Sequence, residues 1–201
     1  AGLSTKTIAA LTTDQIQAIE TSDVQALTTA QMAGLNTATV QALSSTQIQS
    51  LKTNQIAGLT SVGVQALTTD QVVALNTQQG AGLATSTIAQ LTTEQIRAIE
   101  TTDVGVLTTT QLGNLATNAV QALTSAQVVA LSTQQVAGLT TATMAALTTD
   151  QVQAIETRDI AVLTTTQLGN LATSTVQALS STQVIALTTQ QVAGLSTKTI
   201  A

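Results

Sequence analysis

The sequence predicts an all-α fold: a solenoid, or superhelical rod, of short helices, one per eight-residue repeat, with about three to four repeats in each superhelical turn. Three observations predict it. Leu or Ile returns every eight residues, without a slip, from Leu3 to Leu195. An apolar residue follows five places later in every octad except the one that holds Gly80. Most octads also open on the capping phrase Thr-x-x-Gln, in the consensus L-T-T-x-Q-V-x-A.

Taking the Leu/Ile as position 0, each octad justifies one helix. In LTTDQIQAI (Leu11 to Ile19) Thr12 is the N-cap and Gln15 falls at N3, completing a capping box. Leu11 and Ile16 then stand at N′ and N4, the hydrophobic-staple pair, which explains the spacing of five. The phrase returns as LTTDQVVAL at Leu67, LTTEQIRAI at Leu91 and LTTDQVQAI at Leu147. Acids fall where a helix start favours negative charge: Asp14, Asp70, Glu94 and Asp150 at N2, and Asp23, Asp103 and Asp159 at N3. Position +1 is a poor cap in Lys52, Ala84, Ala116 and Ala172, whereas +2 is always Thr or Ser. In those octads the N-cap is therefore expected at +2.

A longer rhythm orders these elements. Residues 91–146 and 147–201 match closely, and LTTTQLGNLAT recurs 56 residues apart at Leu107 and Leu163. Residues 11–66 follow the same plan more loosely, and 67–90 read as that unit without its middle. Octads ending in AGL or GNL close at Leu35, Leu59, Leu83, Leu115, Leu139, Leu171 and Leu195, three or four octads apart. That alternation predicts a turn of between three and four octads, with Gly allowing close approach of neighbouring coils. Leu, Val and Ala are expected inside, and Thr, Ser and Gln outside. Residues 1–201 read as one continuous array without a linker. Because AGLSTKTIA stands at both 1–9 and 193–201, the chain reads as a slice of a longer array.

Two other folds were weighed. A single helix would let the Leu column drift by about 80° per octad, leaving no apolar stripe. A β-solenoid is the structural alternative, since Thr and Val favour strands. Its weakness is the offset of five, which places the second apolar residue on the opposite face.

Composition removes most chemistry. The chain has no Cys, His, Pro, Trp, Tyr or Phe, and a net charge of −5. Five Lys/Arg cannot build the basic face that nucleic acid requires. No apolar run is long enough to insert in a membrane. No Ser or Thr has a His or Cys to activate it, so the expectation is no enzyme, no catalytic residue, no cofactor and no metal site. The phrases IETSDV, IETTDV and IETRDI place carboxylates three apart, at Glu20/Asp23, Glu100/Asp103 and Glu156/Asp159. These could be surface calcium ligands, but they read better as helix-start acids. Arg97 and Arg158 are expected to form exposed ion pairs with them.

LTTDQVVAL at Leu67 resembles the opening helix of transcription-activator-like effector repeats. That resemblance is local and implies a helical register only. Over the whole chain the octads resemble L-T-T-x-Q-V-x-A-L arrays of very large bacterial surface or secreted proteins related to adhesion. The resemblance implies an extracellular or cell-surface filament or stalk whose partner is itself, by head-to-tail continuation or lateral bundling. The alternative function is an ice- or surface-binding solenoid that uses the Thr/Ser columns, which a flat β-coil would favour.

Overall fold

The computed structural model describes residues 4–195, and among them the regular structure is all helix, with no strand. The β-solenoid alternative is thereby set aside. Twenty-four α-helices of four to six residues run from Thr5–Ala9 to Thr189–Gly194, each beginning eight residues after the last.

The N-cap is always at +1, even where the residue caps poorly. Ala84, Ala116 and Ala172 keep extended backbone there without any side-chain bond. The expected shift to +2 does not occur, because the winding fixes where each helix must turn. At Lys52 half of the box survives: Gln55 Oε1 accepts from the Lys52 N–H at 2.8 Å, while Lys has no acceptor to offer in return. At the other end, the N–H of position 0 bonds back to the +5 carbonyl, as in Leu59 to Ile56 at 3.0 Å. This tight closure spends carbonyls that a helix end otherwise leaves unpaired.

The chain divides into two compact units, Ala1–Val106 and Leu107–Ala201. In the first, helix Thr13–Gln17 packs on Thr37–Ala42, which packs on Ser61–Ala66, three octads at a time. In the second, Thr117–Ala122 packs on Thr141–Ala146, and Ser125–Val129 on Thr149–Ala154. Each unit is thus an α-solenoid. The +5 residues form its centre, with Val40, Val104 and Val152 fully enclosed. Most position-0 residues join them. Leu11, Ile19, Leu27, Leu75, Ile99, Leu179 and Leu187 stay half-exposed, so the second column is not buried throughout as its regularity suggests. Val184 and Val192, both at +5, are also about half exposed, at 50% and 53%.

The glutamines at +4 correct the expectation that Gln lies outside. Gln47, Gln71, Gln95, Gln151 and Gln183 are each 2–3% exposed. In the first unit Gln95 Oε1 accepts from the Thr92 N–H at 2.8 Å. Its Nε2 donates to the carbonyls of Val64 and Leu67, 31 and 28 residues earlier, at 2.8 and 2.7 Å. Gln71 treats Val40 and Leu43 alike. In the second unit Gln151 reaches Val120 and Leu123, and Gln183 reaches Val152 and Ile155. One amide therefore closes the start of its own helix and ties it to the end of the helix four octads back. Buried polar groups are tolerated only when paired, and here every arm of the amide is used.

Glycine marks the same turn. A Cβ on Gly34 would meet Thr5 Cβ at 2.8 Å, and one on Gly58 would meet Thr29 Cα at 3.1 Å. Gly82 faces Thr53, Gly138 faces Thr109 and Gly194 faces Thr165, always 29 residues back. No described glycine has positive φ. These glycines serve close approach, as the AGL spacing predicts. A turn is about 28 to 29 residues, between three and four octads.

Candidate functional site

The sequence offers the three Glu/Asp phrases as its only clustered carboxylates, and the structure places them differently. In all three, Glu is the N-cap and Asp is N3 of a four-residue helix. The Asp thus takes the place of the stapling Gln but is too short to reach an earlier coil. Asp23 is exposed. Asp103 and Asp159 are buried, at 5% and 2% exposure.

Around Asp159 the charge is answered from within the chain. Thr133 Oγ1 donates to Asp159 Oδ1 at 2.6 Å. Arg158 pairs with Glu156, and its Nε lies 3.7 Å from Asp159 Oδ1. Arg158 is largely exposed, so its pairing contributes little to stability. Arg97 sits in the last turn of Thr93–Ala98. It acts on Glu94, whose carboxyl is held below its usual range, first by its own backbone N–H, then by the Thr93 hydroxyl and more weakly by Arg97.

Asp103 lies in the first unit, where a groove of about 610 Å³ is lined by Asp70, Glu100, Asp103 and Thr77 with an apolar wall of Val73 and Leu75. Among the described residues no three acidic side chains converge tightly enough to hold a metal ion. Lys6 and Lys52 occupy a first helical turn and a cap position. Lys198 lies outside the described residues, as does most of the AGLSTKTIA phrase at 193–201. No described helix is long and apolar enough to cross a membrane.

The family model for the ALTTAQ repeat matches residues 1–29, 16–53, 48–77, 96–133, 152–189 and 160–197. The chain belongs to the ALTTAQ repeat family. No curated protein matches it. Each letter of the ALTTAQ repeat now has a physical task here. In ALTTDQ, residues 66–71, Ala66 and Leu67 are buried and Thr68 caps with its hydroxyl on the Gln71 N–H at 3.2 Å. Thr69 begins the helix, and Gln71 is the staple. Sequence reasoning found the box within each ALTTAQ repeat and missed the staple. The missed signal was a non-β-branched amide kept at +4 beside two apolar columns.

Proposed function

We propose that this chain is a structural module without catalysis, a segment of a long extracellular or cell-surface filament or adhesin stalk. The observation that carries the reading is the glutamine staple. It repeats along each unit and makes every coil both a donor to the coil before it and an acceptor for the coil after it. Such one-dimensional stacking gains stability by adding neighbours. The resemblance to adhesion-related arrays of bacterial surface proteins supports the location. The likeness of LTTDQVVAL to effector repeats reflects shared helix-start chemistry and carries no proposal of DNA binding.

The chain's partner in this reading is itself. Ile185 is 82% exposed and Val192 53%, the kind of surface that a further coil or a neighbouring rod covers. The ice-binding alternative ranks lower. Hydroxyls such as those of Thr68 and Thr92 are spent on helix amides and stand on a wound surface. The test is a series of fragments of about 8, 16 and 24 octads, followed by melting and sedimentation. Melting temperature and self-association should both rise with length. Length-independent melting of strictly monomeric fragments would overturn the filament reading.

A further inference from the structure

We propose that the groove over Asp103 binds an organic cation carrying a guanidinium head on a short aliphatic stem. The starting point is a comparison of two places 56 residues apart. Glu100, Thr102 and Asp103 correspond to Glu156, Arg158 and Asp159, and Thr77 to Thr133. In the second unit Arg158 brings a guanidinium to both Glu156 and Asp159, and Thr133 donates to Asp159. In the first unit Thr102 stands where that arginine would be. The place of Ala126 is taken by a third acid, Asp70.

Asp103 is 95% removed from solvent, and no hydrogen bond or ion pair of the described residues reaches its carboxylate. A buried, unanswered carboxylate is costly. It faces a groove of about 610 Å³ that also holds Asp70 and Glu100. The three acids do not close round one point, as a metal ion would need. A planar head with five donors can serve separated carboxylates where a compact ion cannot. The wall supplies the other half of the match. Val73, 44% exposed, lies beside Ala74 and Leu75, apolar surface along which an aliphatic stem can lie while its head reaches the acids.

The guanidinium can belong to a free amine or to an arginine side chain of a peptide. The test uses the full chain, labelled with ¹⁵N, and follows backbone amides by NMR. Agmatine and Nα-acetyl-arginine amide are titrated separately, with calcium chloride as a third arm. Saturable shifts confined to residues 70–77 and 100–104 are expected. Binding of both probes admits either source, agmatine alone assigns a free small cation, and the amide alone assigns an arginine side chain. Asp103→Asn should weaken binding about tenfold or more by removing a charge-assisted partner. Thr102→Arg, at an exposed position, should abolish it by supplying the internal cation of the second unit, and it keeps the test valid if the first variant fails to fold. The proposal is overturned by any of three results. These are absence of saturable shifts with both guanidinium probes, undiminished binding in Thr102→Arg, or calcium reproducing the same shifts at lower concentration.

Discussion

At the residue scale the glutamine at +4 decides most. Replacing Gln95 with Ala strands the Thr92 N–H and the carbonyls of Val64 and Leu67 in a buried joint. Unsatisfied buried groups cost about 1–3 kcal/mol each, so the loss should be about 3 kcal/mol or more. Gln15 is exposed and makes only its local box with Thr12. Gln15→Ala should therefore cost about 1 kcal/mol, the value of a cap. Denaturant midpoints compare the two, and equal losses would deny the staple. The capping half of this role was legible, because its partners lie three residues away. The inter-coil half was not, because its partners are backbone carbonyls whose position only the winding sets. Glu94 gives a smaller test. Its carboxyl is held low, so the stabilisation it carries is present above the unfolded value and lost as pH falls through the folded one. A carboxyl NMR titration should show a depressed midpoint that rises in Thr93→Ala, the hydroxyl being 3.0 Å from the carboxylate.

At the element scale, helices of four to six residues have no stability of their own, and packing decides whether they exist. Two glycines in helices show this with opposite signs. At Gly58 an added Cβ lies 3.1 Å from the Cα, Cβ and O of Thr29, mostly backbone that cannot give way. Gly58→Ala should destabilise despite the helix propensity of Ala. At Gly80 the nearest atom is Asp103 Cβ at 3.8 Å, an ordinary contact. Gly80→Ala should stabilise by about 1 kcal/mol. Thermal melts of both variants check the pair, and a shared sign would refute the contact geometry. The helix frame was legible from Leu, Thr and Gln alone. The cap position at Ala84, Ala116 and Ala172 was misread, since local propensity argued for +2 and tertiary winding overruled it.

At the scale of the whole molecule, the turn length was legible from the AGL spacing because glycine is needed only where coils touch. The burial of Asp103 and Asp159 was not legible, since a helix-start acid on an exposed rim and one under the next coil have the same sequence. With no close cluster of three acids among the described residues, chelator should leave the melting temperature unchanged. A calcium-dependent rise would make the Glu/Asp pairs ligands. The central claim is that each unit winds as an α-solenoid with 28 to 29 residues per turn. A chain without cysteine allows it to be tested by engineered disulfides. The added Cβ of Gly82 lies 3.3 Å from Thr53 Cβ, near the roughly 3.5–4.5 Å that a disulfide spans. Ser45 and Ser61 occupy the same octad position as Thr53, one repeat to either side. Oxidation rates of the three double-cysteine variants, each with Gly82→Cys, should show rapid closure for Thr53→Cys and slow closure for Ser45→Cys and Ser61→Cys. Faster closure at Ser45 or Ser61 would make the turn a full octad longer or shorter and would contradict the account.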